Sequence, residues 1–261
     1  MRIDSLATRA RALAALGIES WQLRSRRGEP SESLPQSSSD QRPSVQSPRV
    51  QRSIVEVPEP LTIEAPIVEA PLVAGDWDAL RQQVASCTRC GLHAERTQAV
   101  FGVGDIKAQW MVVGEAPGSE EDKRGEPFVG AAGQLLTAML AAIDLPRESV
   151  FIANILKCRP PENRDPKPAE VAQCLPYLRR QIEWIQPRMI LAFGRVAAQN
   201  LLGVEQPLSR LRGRVHHLPG TQTPVIVTYH PAYLLRVPAD KRKAWEDLKF
   251  ARRSFESVAQ A

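Results

Sequence analysis

Two groups of side chains in this sequence have the types and spacing needed for chemistry. The first group is the four cysteines, which are Cys87, Cys90, Cys158 and Cys174. Four thiolates with one close C-x2-C pair are a plausible ligand set for a tetrahedral metal ion or an iron–sulfur cluster. Zinc ribbons normally bring two close pairs, whereas 15 residues separate the second pair here. The spacing therefore favours a cluster, with zinc as the alternative.

The second group consists of polar residues that follow short apolar runs. In the tight loop Gly114-Glu-Ala-Pro-Gly118, Glu115 could act as an acid, a base or an orienter of water. Asn154 could present its whole amide to one edge of a nucleobase. His230 could stabilise developing negative charge. Taken singly, such an asparagine more often caps backbone and such a histidine more often packs in a core.

Two further features suit a planar, stacked ligand. Phe128 lies in a loop rich in glycine and proline and could offer its ring face to such a ligand. The segment after His230 places an apolar pair beside an arginine, a combination that could wedge into a base stack. The residues of this predicted wedge are Tyr233, Leu234, Leu235 and Arg236.

Four apolar runs of strand length must position these residues. They are Trp110–Val113, Val150–Ala153, Met189–Ala192 and Val225–Thr228, and helical patterns such as residues 132–143 and 170–185 separate them. Unbroken apolar strands that alternate with helices predict a mainly parallel four-stranded sheet covered on both faces. Ligands of such sheets bind beyond the carboxyl ends of the strands, where the polar residues lie.

Composition divides the 261 residues into three segments. Of the 14 aromatic residues, only Trp21 precedes Trp77, so we predict a folded domain over residues 76–261. Residues 25–75 are rich in Ser, Pro and Gln and are predicted to be a disordered linker. Residues 1–24 are predicted to form a short helical docking peptide. No apolar window approaches a membrane span, and no export signal is evident. We therefore expect a cytoplasmic protein, and a monomer by default.

Charge is concentrated at the C-terminal end. Residues 188–261 hold 12 Lys and Arg against 5 Asp and Glu. A basic face of this kind attracts a polyanion such as DNA or RNA, although an ordinary solubilising surface explains the excess equally well.

Taken together, these segments resemble the family 4 uracil-DNA glycosylases, the iron–sulfur branch of their superfamily. The resemblance runs from Cys87 to Arg252 and covers the loops described above and all four cysteines. It implies a three-layer α/β/α sandwich, a structural 4Fe-4S cluster on the four cysteines, and cleavage of the N-glycosidic bond of deoxyuridine in DNA. A nucleoid-associated bacterial enzyme that initiates base excision repair is the corresponding expectation.

The resemblance also implies a role for each pocket residue. Phe128 stacks on the everted uracil, Asn154 bonds its Watson–Crick edge and His230 bonds its O2. Gly114, Glu115 and Ala116 form the pocket wall. The best-known branch of the superfamily has Gln-Asp-Pro-Tyr at residues 115–118, so its water-activating aspartate and thymine-excluding tyrosine are absent here. Glu115 is our candidate for positioning water or stabilising the sugar cation, and Glu121 for excluding the thymine methyl.

The N-terminal segment resembles a different protein. Leu16-Gly-Ile-Glu-Ser-Trp-Gln-Leu-Arg24 looks like the chi-binding start of the psi subunit of the bacterial DNA polymerase III clamp loader. The predicted contacts with chi are made by Leu16, Ile18, Trp21 and Leu23. Through chi, the peptide would reach the single-stranded-DNA-binding protein at the replication fork.

Two other functions stay open at this point. One is a protein that binds uracil in DNA without turnover, as in the related branch that is trapped covalently on its product. That branch carries an inserted Arg-rich loop ending in a histidine, whereas no histidine occurs here between His93 and His216. The other is a replisome adaptor with a lapsed catalytic domain, which the presence of Asn154 and His230 argues against.

Overall fold

The structure is a computed structural model that describes residues 76–259. The predicted docking peptide and linker lie outside the described residues, as do the chi contacts at Leu16, Ile18, Trp21 and Leu23. Within the described range, none of the helices combines the length and apolarity that a membrane span requires.

A six-stranded sheet forms the centre of the described residues. Its strands are β1 (Val103–Gly104), β2 (Trp110–Gly114), β3 (Val150–Asn154), β4 (Met189–Phe193), β5 (Val215–His217) and β6 (Pro224–Thr228). Their order across the sheet is β1-β3-β2-β4-β6-β5. The inner four strands are parallel, as predicted, and they are the four apolar runs.

Two short antiparallel edge strands extend the predicted four-stranded sheet. β1 pairs with β3 and β5 pairs with β6. With two and three residues respectively, they are too short to show a period-2 pattern in the sequence. All residues of the inner four strands are buried, which explains why those runs lack polar alternation.

Helices cover both faces of the sheet and complete the three-layer α/β/α sandwich that the resemblance implied. They are α1 (Trp77–Ala85), α2 (Ser119–Arg124), α3 (Ala131–Ala141), α4 (Pro168–Ile185), α5 (Arg195–Leu202), α6 (Leu208–Leu211), α7 (Pro231–Arg236) and α8 (Lys241–Ala259). Short 3-10 turns lie at Gly91–Ala94, Arg147–Ser149, Pro161–Asn163 and Pro238–Asp240.

Successive strand residues point to opposite faces and create two hydrophobic cores. Met111 and Val113 of β2 pack with residues of α1, α4 and α5 on one face. Trp110 and Val112 pack with residues of α3, α7 and α8 on the other. Because all four parallel strands are held between these cores, their carboxyl ends are fixed relative to one another, and the following loops start from one rigid edge.

Candidate functional site

A cavity of about 660 Å³ lies at the carboxyl edge of the sheet. Among the residues that line it are six of those predicted for the substrate site, namely Glu115, Ala116, Glu121, Phe128, Asn154 and His230. They come from the ends of β2, β3 and β6, from helix α2 and from the loop before α3. The sheet thus brings together side chains that lie more than 100 residues apart in the chain.

Phe128 is held in a conformation that few residues other than glycine adopt. Its φ is 56°, in the left-handed region, and its side chain is almost completely buried. Such a conformation costs about 1 kcal/mol or more and persists only where surrounding contacts impose it. Gly133 allows it, because a Cβ at Gly133 would overlap the Phe128 carbonyl group. The ring centroid lies 5.5 Å from that of His230, so the two rings border the same space.

Asn154 is the last residue of β3 and its side chain is 2 % exposed. Its Oδ1 is buried and has no hydrogen-bond partner among the described residues. An unsatisfied buried amide oxygen costs roughly 1–3 kcal/mol, which a ligand carrying an N–H group would recover. Gly114, on neighbouring β2, has no room for a side chain, since a Cβ there would overlap Asn154 Oδ1 and the Phe128 ring. Although it does not line the cavity, Gly114 therefore shapes its wall.

His230 begins α7, and its imidazole caps that helix. Nδ1 accepts a hydrogen bond from the Ala232 N–H at 3.2 Å. The pKa of His230 is lowered to about 4, mainly by burial and also by Arg236, against a smaller opposing effect of Glu121. Because Nδ1 is the acceptor, the proton of the neutral ring lies on Nε2. The site therefore holds an uncharged hydrogen-bond donor near neutral pH.

The Glu115 carboxyl lies at the same cavity in a less polar setting than an ordinary surface carboxyl. The pKa of Glu115 is raised to about 7, mainly by burial and to a smaller extent by Asp165, while Arg195 opposes the rise. A carboxyl group with a pKa near neutrality can exchange protons at working pH, which suits the role of an acid, a base or an orienter of water.

Both carboxylate oxygens of Glu121 accept hydrogen bonds from backbone N–H groups. Its Oε1 accepts hydrogen bonds from the N–H groups of Val129 and Gly130 at 2.9 and 3.2 Å, and its Oε2 accepts one from Gly118 at 3.1 Å. These bonds join the loop after β2 to the loop that carries Phe128. Glu121 therefore braces the pocket, and its contact with a base methyl stays a prediction.

The predicted wedge requires one correction. Leu234 is completely buried in the core beneath α7, so the prediction that it inserts into a base stack is wrong. Its neighbour Leu235 is 44 % exposed. The helical turn explains the difference, because only one of two successive helix residues can face solvent here. Arg236 is exposed and lines the cavity.

Tyr233 is also a wedge candidate, and it borders the cavity beside a residue that the sequence analysis missed. Its ring stacks on that of Tyr229, with centroids 5.2 Å apart and planes 11° from parallel. Its hydroxyl donates a hydrogen bond to Asp240 at 2.7 Å. The wedge is therefore attached to a stacked pair of rings at the mouth of the cavity.

The sequence analysis missed an ion pair at the cavity as well. Asp165 Oδ2 and Arg195 Nη2 are 2.5 Å apart, and both residues line the cavity. Both are well exposed, so the pair is worth little to stability. The pair matters more for the pKa of Glu115, which Asp165 raises and Arg195 lowers. Residues 30 positions apart with no shared pattern give no sequence signal for such a pair.

The four cysteines line a second, small cavity, which we call the cysteine cradle. Cys158 Sγ accepts a hydrogen bond from Arg96 Nη1 at 3.0 Å, and Cys174 Sγ accepts one from the Lys157 N–H at 3.1 Å. Burial raises the pKa of the Cys174 thiol to about 12. In the described part of the chain, no three or more His, Cys, Asp or Glu side chains lie in an arrangement that could hold a metal ion as it stands. Donors aimed at sulfur, from Arg96 and from backbone, suit thiolates that carry negative charge, so the donor set fits an iron–sulfur cluster.

The fold and the pocket together define a class of α/β/α protein with a cavity at the carboxyl ends of its parallel strands, and an aromatic ring, an amide and a neutral imidazole line that cavity. The sequence comparisons agree with this class. Residues 101–249 match the uracil DNA glycosylase superfamily.

Individual relatives narrow the class. The type-4 uracil-DNA glycosylase of Archaeoglobus fulgidus is 49 % identical over 178 residues, which cover 66 % of this chain and 89 % of the relative. That of Thermotoga maritima is 42 % identical over 179 residues, covering 67 % and 92 %. A type-5 uracil-DNA glycosylase of Pyrobaculum aerophilum is 32 % identical over 148 residues, covering 50 % and 64 %. The chain belongs to the uracil-DNA glycosylase superfamily, in its type-4 branch, and is a DNA glycosylase.

Proposed function

We propose that this enzyme takes deoxyuridine out of the DNA helix and hydrolyses its N-glycosidic bond, giving free uracil and an abasic site. The observation that carries the proposal is the buried Oδ1 of Asn154, which has no partner among the described residues and belongs to the same cavity as Phe128 and His230. The names of the type-4 relatives support the same substrate. The reaction would begin base excision repair, and we place the enzyme with the DNA of a bacterial nucleoid.

Base recognition follows from the polarity of the amide. Asn154 Oδ1 would accept the N3–H of uracil while its Nδ2 donates to O4. Cytosine presents an acceptor at N3 and a donor at N4. Its N3 would therefore face Oδ1, acceptor against acceptor, and its N4 amino group would face Nδ2, donor against donor, so neither hydrogen bond could form. Phe128 would stack on one face of the base. Selection against cytosine would therefore depend on the fixed position of one side chain.

Bond cleavage needs negative charge to be accepted by the leaving base. The C1′–N1 bond would break with its electron pair moving to uracil, and His230 Nε2–H would donate a hydrogen bond to O2 of the resulting anion. Water would then add to C1′, and its proton would pass to Glu115 or to solvent. In its ionised form Glu115 would also stabilise the positive charge on the sugar.

The strand-end loops would also hold the distorted helix. Leu235, Arg236 and the ring of Tyr233 would fill the gap that the everted nucleotide leaves. Glu121 would keep the loop of Phe128 in place, and its contact with a thymine methyl remains part of the proposal.

The cysteine cradle would hold a 4Fe-4S cluster through Cys87, Cys90, Cys158 and Cys174. Such a cluster would supply a structural crosslink between the segment before the 3-10 turn at Gly91–Ala94, the segment after β3 and helix α4. Hydrolysis of a glycosidic bond requires no electron transfer, so the proposal assigns the cluster no step in the reaction.

An incision assay tests the proposed reaction. Oligonucleotides with U:G, U:A or single-stranded uracil should gain alkali-labile sites and release free uracil, whereas matched cytosine oligonucleotides should not. A denaturing gel separates the alternatives. A protein band shifted by covalently attached DNA would indicate trapping, and binding without release or attachment would indicate a recognition protein or an adaptor.

We further propose that residues 1–24 bind the chi subunit of DNA polymerase III, and through it the single-stranded-DNA-binding protein. The proposal rests on the order of Leu16, Ile18, Trp21 and Leu23 in the sequence. A labelled peptide of residues 1–27 should bind purified chi, and Trp21→Ala should weaken it by about tenfold or more, as for a buried aromatic anchor. No binding, or equal binding by both peptides, would end this idea.

A further inference from the structure

A completely buried lysine lies between the base pocket and the cysteine cradle. Lys157 is 1 % exposed. Its ammonium group donates hydrogen bonds to Gln181 Oε1 at 2.7 Å and to the main-chain oxygen of Asn154 at 3.1 Å. None of the ion pairs found between residues 76 and 259 involves it. Burying an ammonium among neutral oxygens costs several kcal/mol, so the position of this lysine calls for a function.

Helix α4 holds Lys157 at two points. The Lys157 N–H donates to Cys174 Sγ at 3.1 Å, and Gln181, the acceptor of the ammonium, lies two helical turns further along the same helix. Gln181 is itself fully buried and donates to the Phe101 carbonyl at 2.9 Å. Because Gln181 is itself anchored to Phe101, it holds the ammonium group in a fixed position.

The other end of this network is the base-reading residue. Asn154 is the last residue of β3, and its main-chain oxygen accepts a hydrogen bond from the Lys157 ammonium group. Its side chain meanwhile has an Oδ1 with no partner. The main chain of Asn154 is therefore fixed by Lys157, while the direction of the amide depends on that main chain and on the close approach of Gly114.

We propose that Lys157 is a positioning residue that fixes Asn154 to helix α4 and the cysteine cradle, so that the amide stays aligned with the edge of the everted base. The positive charge of Lys157 also favours the thiolate form of Cys174, which would suit an anionic iron–sulfur cluster held by that residue. The kinetic test of this inference rests on the proposed function, because it measures the excision of uracil.

A double-mutant cycle on the holoenzyme tests the proposal, with single-turnover cleavage of a uracil duplex as the measurement. Lys157→Met should lower the rate by about tenfold or more, the loss expected for a hydrogen bond from a charged group. In the background of Asn154→Ala the same substitution should have no further effect, because Lys157 acts through Asn154. Lys107→Met, at an exposed position, is the matched control and should leave the rate unchanged.

A binding measurement supplies a readout that does not depend on turnover. Duplexes that carry 2′-fluoro-deoxyuridine or 2′-fluoro-deoxycytidine resist cleavage, because the fluorine destabilises a cationic sugar. Lys157→Met should reduce the ratio of the two affinities while leaving the affinity for the cytidine duplex unchanged. A merely structural role would weaken both affinities equally.

The outcomes separate this inference from the proposed reaction. If the wild type does not release uracil, the proposed function fails, and the affinity ratio alone then tests Lys157. Rate losses that multiply in the double mutant, or an unchanged affinity ratio, overturn the positioning role. Where Lys157→Met loses iron or melts early, Gln181→Met replaces it. This variant keeps the ammonium group and should show a smaller rate loss, about threefold, with the same dependence on Asn154.

Discussion

The base pocket and the cysteine cradle differ in how far their acceptor atoms are already hydrogen-bonded. In the pocket, Asn154 Oδ1 has no partner among the described residues, and Phe128 is held in the left-handed region. In the cradle, the sulfur atoms of Cys158 and Cys174 already accept hydrogen bonds. An unpartnered acceptor in the pocket suits a ligand that would arrive and leave, whereas donors to two of the four sulfur atoms in the cradle suit a group that would stay bound.

The two regions are connected by a short stretch of chain. Asn154 and Cys158 are separated by three residues, one of which is the buried Lys157. A change in the cradle can therefore reach the pocket through few covalent and hydrogen bonds. The predictions below test whether substitutions in the base pocket mainly lower the reaction rate and substitutions in the cysteine cradle mainly lower stability.

The largest expected effect is on chemistry in the pocket. Asn154→Ala removes the only proposed reader of the base edge, and His230→Ala removes the donor to the leaving anion. Each should lower the single-turnover rate by about 100- to 1,000-fold, the usual cost of losing one preorganised donor. The melting temperature and the visible absorbance should stay near those of the wild type. Wild-type rates in either variant would show that the pocket has been assigned wrongly.

The cradle should show the reverse pattern. Cys174→Ser is expected to release iron and to lower the melting temperature by about 10 °C or more, because metal-binding free energy adds to the free energy of unfolding. The substitution is measured by iron content and thermal unfolding. The cleavage rate per iron-loaded molecule should stay within a few-fold of the wild type. A stable, fully active protein without iron would remove the distinction between the two regions.

The pH profile sharpens the description of the pocket. The pKa of Glu115 is raised to about 7, so protonation below pH 7 should remove the negative charge that the reaction uses. The single-turnover rate should then fall by about tenfold for each pH unit on the acid side. Asp165→Asn removes a charge that raises this pKa, so it should move the midpoint to lower pH. A midpoint unaffected by Glu115→Gln would assign the acid limb to another group.

The smallest expected effect concerns the wedge. Leu235→Ala should lower the cleavage rate on duplex substrates by about threefold, since it shortens an exposed apolar side chain that fills the base stack. Single-stranded substrates need no wedge and should be cleaved at the wild-type rate. Ile106→Ala alters another exposed apolar residue, 47 % exposed, and serves as the control. Equal losses on both substrates would place Leu235 outside the wedge.

Much of the fold was predictable because its strands are buried on both faces. The four apolar runs each became a parallel strand, and the residues at their ends, Asn154 and His230, lie at one cavity. The edge strands were missed because two or three residues carry no period. Leu234 was assigned to the wedge because the sequence does not show which of two adjacent leucines of α7 faces the core.

The sequence by itself determined the chemistry that is available, namely a ring, an amide, an imidazole, a carboxyl group directly after the first apolar run, and four thiols. It also determined the four inner strands of the sheet, because an unbroken apolar run is a local property that one segment displays alone. Tertiary structure decided how each group behaves. The commitment of Glu121 to backbone, the raised pKa of Glu115 beside Asp165 and Arg195, and the burial of Lys157 all depend on distances and desolvation. Those quantities exist only once distant segments have packed together.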